Sequence, residues 1–266
     1  MDSFEIPWAP VFGNHDNESN LGVNWQSAKL EAAPNCLFKQ RTLTGNGNYS
    51  VGITQGGELK RVFFMLDSNG GTGKSSKTMA NGHSLTTTGF AQDQIDWYTD
   101  AAEKINGAYP GMKYSMVYHI HQFIFNHGYN KYSSLATPVD IATVQDTVAN
   151  APGTDFGYIG KKLDNGWNTD LTIYRGAKAL GFDSHFVGHE HAQSASITHD
   201  GTLLQFGQKS SAYDSLNWKD SNGNVVNGSC LTDATPMVGG TVLKMNEDGS
   251  FGERYIHYCD GVTEAE

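Results

Sequence analysis

Residues 91–120 read AQDQIDWYTDAAEKINGAYPGMKYSMVYHI, and this stretch decides the fold class. In its first half Ile95, Tyr98, Ala102 and Ile105 recur every three or four residues, which lines one face of a helix over residues 91 to 106. Gly107 is expected to close that helix. In the second half Tyr114 to Ile120 is a mostly apolar run of strand length. A similar run, Val62-Phe63-Phe64-Met65-Leu66, lies upstream of the helix. Strand–helix–strand units of this kind, followed by a β-rich tail, imply an α/β domain with layered sheets.

The pattern extends in both directions. Ala9-Pro10-Val11-Phe12 reads as the first strand, and residues 24 to 33 carry a short helical pattern around Trp25, Ala28 and Leu30. Tyr49 to Ile53 and Val62 to Leu66 form a hairpin across Gly56-Gly57. Gly70 to Thr88 is rich in Gly, Ser and Thr and reads as a long loop. A second helix fits Asp170 to Leu180, followed by a strand over Ser184 to Val187. Further β segments fall near 193–198, 202–207, 238–246 and 251–258. With no internal repeat and no low-complexity linker, one domain over 1–266 is expected.

Composition excludes several function classes. The 18 basic and 28 acidic side chains give a net charge of −10, which argues against a nucleic-acid backbone binder. No apolar run approaches the ~18 residues needed to span a bilayer. The 12 Tyr, 13 Phe and 5 Trp exclude a disordered chain. Cys36, Cys230 and Cys259 form no CxxC zinc pattern, and pairing of Cys230 with Cys259 stays open. The first residues, Met1-Asp2-Ser3-Phe4-Glu5, lack the apolar core of a signal peptide. Low charge with abundant Gly, Asn, Thr and Tyr leans towards an extracytoplasmic setting without fixing the localisation.

Three segments stand where apolar strands end: Gly13-Asn14-His15-Asp16, His119-Ile120-His121 and Gly188-His189-Glu190-His191. Strand ends are where α/β folds place ligand sites. A lone His is most often structural, but two His clusters and an Asn-His pair at three strand ends are hard to assign to packing. Neutral imidazoles and an amide oxygen suit borderline divalent ions such as Zn²⁺, Mn²⁺ or Fe. Gly188 is expected to permit a bend that aims His189 and His191 at two neighbouring ions. Such a pair of ions suits in-line attack on a phosphoryl group.

In this arrangement the chain resembles the calcineurin-like metallophosphoesterases, the superfamily that includes the purple acid phosphatases. That family reads DxH, GDxxD, GNH(D/E), an isolated His after a strand, then GHxH. Gly13-Asn14-His15-Asp16 matches the third motif, His119 the fourth and Gly188-His189-Glu190-His191 the fifth, in family order. Pro7-Trp8-Ala9-Pro10-Val11, Leu66-Asp67-Ser68 and Gln94-Ile95-Asp96-Trp97 extend the likeness to the purple acid phosphatase-like subgroup, over residues 5 to 207.

The resemblance implies a sandwich of two mixed β-sheets flanked by helices, and hydrolysis of a phosphomonoester or phosphodiester by a metal-bound hydroxide. Asn14, His119 and His189 would bind one ion and His191 the other. His15 would be the acid that meets the leaving-group oxygen or would steady the phosphate, with Asp16 bonded to its ring. His121 stays open as an alternative to His119 or as a residue of the substrate pocket. His127 has no partner at metal-ligand spacing and defaults to a surface or structural role, with a substrate contact as the alternative.

The family's first two motifs do not occur. Only 12 residues precede Gly13, and the chain contains no Gly-Asp dipeptide. Its single D-x-H, Asp183-Ser184-His185, lies on the strand feeding the fifth motif and reads as chance, with His185 a buried or half-buried strand residue. The expectation is therefore a domain lacking its first strands and its bridging carboxylate, holding one divalent ion weakly or none where the family holds two. Exposed sheet edges would then imply a second copy or a complementing N-terminal segment as partner. A catalytically inactive remnant or binding module is the alternative to the hydrolase.

A P-loop over Ser68 to Ser75 fails because Ser stands where the Walker pattern needs its first Gly, and no helical pattern follows. There is no GxSxG elbow. His83, His199 and His257 have no partner at metal-ligand spacing and default to surface or structural roles.

Overall fold

Gly56 and Gly57 take φ of 60° and 84°, the paired positive angles that a type I′ turn demands. They join β1 (Tyr49–Gln55) to β2 (Glu58–Met65) in an antiparallel hairpin. In this computed structural model the described residues are 2–18, 20–70, 87–132, 139–140, 155–159, 162–191, 193–210, 217–219, 225–227, 230–232, 235–236 and 239–258. Residues 71–86 of the expected loop, with most of the run weighed as a P-loop, His83 and Cys259 lie outside them. The expected single domain divides into two compact units: Met1–Phe123 with Gly166–His189, and Ile124–Asn165 with Glu190–Glu266.

The first unit bears out the α/β expectation. From β2 the chain passes through α2 (Gln92–Ala108) to β3 (Lys113–Val117), which lies parallel to β2. It later passes through α4 (Thr172–Leu180) to β6 (Phe182–Val187), parallel to β3. The sheet runs β1-β2-β3-β6, mixed because β1 alone is antiparallel. Alternation along β2 sends Phe64 to one face and Met65 to the other. On the first face Phe64 meets Tyr98 of α2, Tyr114 and Phe182 at ring-centroid distances of 6.5, 5.9 and 5.3 Å. On the second, Met65 joins Phe12, Val23 of α1 (Gly22–Ala32), Cys36, Phe38 and Tyr49 in a buried cluster.

The second unit holds α3 (Ile124–Tyr129) and short antiparallel pairs. These are β4 (Val139–Asp140) with β5 (Tyr158–Ile159), β7 (Ser196–His199) with β8 (Thr202–Phe206), and β13 (Gly239–Met245) with β14 (Phe251–Tyr258). Two further pairs are β9 (Asn217–Lys219) with β10 (Val225–Asn227), and β11 (Cys230–Thr232) with β12 (Thr235–Pro236). Among the described residues no helix is long and apolar enough to cross a membrane.

Three local expectations need correction. Ala9 to Phe12 forms no strand ladder; its neighbour Trp8 makes an isolated parallel bridge to Cys36. Pro7 and Pro10 carry no N–H, so this segment lacks the donors a ladder needs. Gly107 does not close α2, which runs on to Ala108. Pro110 is the stop: Tyr109, just before it, is pushed out of the helical region to φ −133°, ψ 79°. Finally, β3 ends at Val117 rather than at Ile120.

Two buried polar frameworks fix the first unit. Arg61 of β2 is fully buried and grips both carboxylate oxygens of Asp183, with Nη1–Oδ1 at 2.6 Å and Nη2–Oδ2 at 2.8 Å. Its Nη1 also donates to Ser115 Oγ (2.9 Å) and Ser184 Oγ (3.1 Å), so one guanidinium ties β2, β3 and β6 together. The second framework surrounds Asp67, which accepts the backbone N–H groups of Asn46 (2.7 Å) and Asn69 (2.8 Å). Gln94 Nε2 donates to Asp67 O (2.8 Å) and to Asn48 Oδ1 (2.7 Å). Burial outweighs these donors and pushes the Asp67 carboxyl up from 3.8 to about 6.

Removing Asp183 leaves the Arg61 charge buried without its partner. Asp183→Ala is therefore expected to cost about 3 kcal/mol in urea unfolding, and Arg61→Met in addition to recover part of that loss. Asp67 acts with the opposite sign to a paired carboxylate. Its folded value lies above its unfolded one, so its stabilising contribution is full below pH 3.8 and is lost as pH rises through about 6. Asp67→Asn should remove this part of the stability–pH slope, read from unfolding midpoints across that window.

Candidate metal centre

The loop after Phe12 is closed by its own acid. Gly13 N–H donates to Asp16 Oδ2 at 2.6 Å, and Asp16 N–H donates to Gly13 O at 3.3 Å. Asp16 thus caps the loop instead of bonding the His15 ring as expected, because its carboxylate faces back onto the turn. Glu18 takes that place, with Oε1 3.0 Å from His15 Nδ1. The residues Asp16–Glu18 form one 3₁₀ turn, which brings position 18 back under position 15. His15 itself is exposed, with 64% of its side chain open to solvent. Asn14 points inward and is buried.

His119 is presented just beyond the end of β3. Tyr118 N–H still donates to Phe186 O at 3.0 Å, and His119 O accepts Gly188 N–H at 3.0 Å. The ring then enters a slot between two glycines. A Cβ on Gly13 would lie 3.0 Å from His119 Cε1 and Nε2, and one on Gly188 would lie 3.2 Å from Nδ1. This revises the expected role of Gly188: the left-handed bend falls on His189, at φ 67°, and Gly188 supplies room for the ring.

Asn14, His119 and His189 come together within the first unit. Asn14 Oδ1 lies 2.9 Å from His119 Nε2 and 3.2 Å from His189 Nδ1, although the residues are 105 and 175 positions apart in sequence. The two rings meet edge to face at 5.2 Å between centroids. An amide oxygen only accepts, so each ring carries its proton on the nitrogen facing Asn14 when the cluster is hydrogen-bonded. Amide oxygen and imidazole nitrogen are donor types that suit a divalent ion. Adjacent donors on one ion with bonds of ~2.1 Å stand about 3.0 to 3.4 Å apart, a range that includes the Asn14–His189 separation and begins just above the Asn14–His119 one.

The other expected site residues are placed differently. His121 is 1% exposed, and its carbonyl accepts Trp167 N–H at 3.3 Å. It is the His119 ring, rather than the His121 ring, that meets Asn14. His191 is exposed and belongs to the second unit. His127 also belongs to that unit, exposed on α3 with the His199 ring 6.3 Å away. Among the described residues no group of three or more His, Cys, Asp and Glu side chains could hold a metal ion; the cluster contains two His and an Asn. His185 is fully buried, as the strand pattern implies. Its Nδ1 lies 3.1 Å from Tyr118 Oη, and burial lowers its pKa from 6.5 to about 4.

Glu18 and the paired glycines are the parts that the sequence reading missed. The signal for Glu18 was its spacing of three from His15. The glycines were visible inside the motifs, but nothing in the sequence shows that both face the same ring.

Alanine substitutions separate slot glycines from idle ones. Gly13→Ala and Gly188→Ala should press on His119, lower stability by about 1 kcal/mol and lengthen the His119–Asn14 contact in a crystal structure. Gly176, inside α4 with nothing within 4 Å of its would-be Cβ, should gain roughly 0.5–1 kcal/mol on substitution by Ala.

No protein-family model matches the chain, and no curated protein matches it as a relative.

Proposed function

We propose that this chain is a metallophosphoesterase-type hydrolase in which Asn14, His119 and His189 hold one divalent ion (Zn, Mn or Fe). Its mixed sheet is read as one of the two sheets of the family's sandwich. The convergence of Asn14 Oδ1 with His119 Nε2 and His189 Nδ1, from three distant segments, carries this reading. When bound, the ion supplies Lewis acidity towards a phosphoryl oxygen and acidifies a water.

The residues of the chain supply the rest. Glu18 engages His15 Nδ1 and so stabilises the imidazolium form, in which Nε2 of the exposed ring carries a second proton to give to the departing alcohol oxygen. Asp16 holds Gly13 N–H and so fixes the loop carrying both Asn14 and His15. The substrate class is a phosphomonoester or phosphodiester. By the resemblance His191 corresponds to a ligand of the family's second ion, which this chain is not expected to hold, and His121 and His127 are read as substrate contacts. Three neutral donors leave the ion's charge uncompensated, so binding is weak.

The absence of a carboxylate-containing group of ligands among the described residues favours a second reading, a binding module without catalysis. One experiment decides between the two. Hydrolysis of an aryl phosphate is followed with added Mn²⁺ or Zn²⁺, beside calorimetric titration of the same ions. The hydrolase reading expects one weak site, and turnover that vanishes in His189→Ala and Asn14→Leu. Ion binding without turnover leaves the binding module. Turnover unchanged in His189→Ala removes the assigned site.

A further inference from the structure

The peptide group between His119 and Ile120 is gripped on both of its edges. Its carbonyl accepts Gly188 N–H at 3.0 Å, and its N–H donates to Ser68 Oγ at 2.9 Å. Ser68 is fully buried. β3 has already ended at Val117, so the hydroxyl supplies an acceptor where the strand ladder no longer does. With both edges of one peptide plane fixed, the direction of the His119 side chain is fixed too.

Ser68 is held firmly enough for this task. Its own carbonyl accepts Gly89 N–H at 2.8 Å, and Asn69 Nδ2 donates to Gly89 O at 2.9 Å. On its other side Gln94 Nε2 holds the Asp67 carbonyl at 2.8 Å, and Asp67 Oδ1 holds Asn69 N–H at 2.8 Å. Asn69 adopts a left-handed φ of 53°, which turns the chain at that point. The turn over residues 67–69 is therefore anchored to the start of α2, independently of β3 and β6.

We infer that Ser68 is a positioning residue for His119: with Gly188 N–H it clamps the 119–120 peptide and aims the imidazole Nε2 at Asn14 Oδ1. Its relevance to ion binding rests on the reading of Asn14, His119 and His189 as ligands. The clamp itself is a statement about the ring and stands without an ion. Loss of the hydroxyl frees the peptide plane to rotate, which swings the ring away from Asn14 and loosens any ion held there.

The test uses the full chain with four substitutions. Ser68→Ala and Ser68→Cys remove the acceptor, and Ser68→Thr keeps it. Ser184→Ala removes a buried hydroxyl of β6 that bonds Arg61 instead of this peptide. Zn²⁺ affinity is measured by calorimetry, and exchange of the His119 imidazole N–H is measured by NMR on the metal-free chain. Ser68→Ala and Ser68→Cys should each weaken Zn²⁺ by about tenfold or more, the scale for losing a group that orients a ligand. Both should also speed the N–H exchange, while Ser68→Thr and Ser184→Ala leave both readouts near those of the unsubstituted chain. Equal behaviour of Ser68→Ala, Ser68→Cys and Ser184→Ala overturns the positioning role while leaving the ion site standing. An unsubstituted chain that takes up no Zn²⁺ sinks the ion-binding reading, and the N–H exchange then decides on Ser68 by itself.

Discussion

A buried guanidinium sets the frame on which everything else in the first unit is placed. Arg61 is enclosed and must be satisfied, and its partners come from two other strands: Ser115 of β3, and Asp183 and Ser184 of β6. A slip of one residue in β3 or β6 would turn those partners to the other face and strand the charge. Fixing the register there also fixes it further along. Ser115 pairs with Ser184 and Val117 with Phe186, so His119 falls opposite Gly188, and Gly188 N–H reaches His119 O. The structural requirement at one end of the strands thereby dictates which side chains share a level at the other.

How much of this the sequence discloses depends on whether the signal is local. The hairpin at Gly56-Gly57, the apolar stripe of α2 and the core strands are local patterns, and they were legible. So was the strand-end location of His119 and His189, whereas Asn14 follows no strand. The segment Ala9 to Phe12 misleads because apolar content says nothing about donors, and two prolines remove them. Gly107 misleads because glycine is a common helix terminator, while Pro110 exerts the stronger steric stop. Asp16 and Gly188 were singled out for roles that fall to their neighbours, Glu18 and His189. Motif letters give the residue types, and only the backbone angles decide which of two adjacent residues makes the bend or the bond.

The only D-x-H of the chain shows the same point from the other side. Asp183-Ser184-His185 has the letters of a metal motif, yet all three residues are engaged in the sheet. Asp183 and Ser184 bind Arg61, and the buried His185 ring lies against Tyr118 and Tyr174 at centroid distances of 5.9 and 5.8 Å. Burial favours the neutral imidazole, since the desolvation that charging it would cost outweighs the pull of the Asp183 carboxylate two residues away.

On the proposed ion-binding reading, chemistry at the Asn14 cluster comes down to a competition between protons and a cation. With two N–H protons in place, one amide oxygen accepts from both rings and the cluster is a closed hydrogen-bonded set. Replacing those protons by an ion keeps all three donor atoms near their present separations but asks each ring to give up the proton facing Asn14. The His119 ring need not leave its slot, because a change of tautomer moves the proton to the far nitrogen of the same ring. The cost of loading an ion here is therefore tautomeric and electrostatic, with little rearrangement of the fold. The peptide clamp at Ser68 then matters most in the metal-free chain, where it preserves the direction of a ring whose hydrogen bonds have to be exchanged. On that reading the cluster is already assembled and poor in charge, a combination that favours a reversibly held ion over a permanent one.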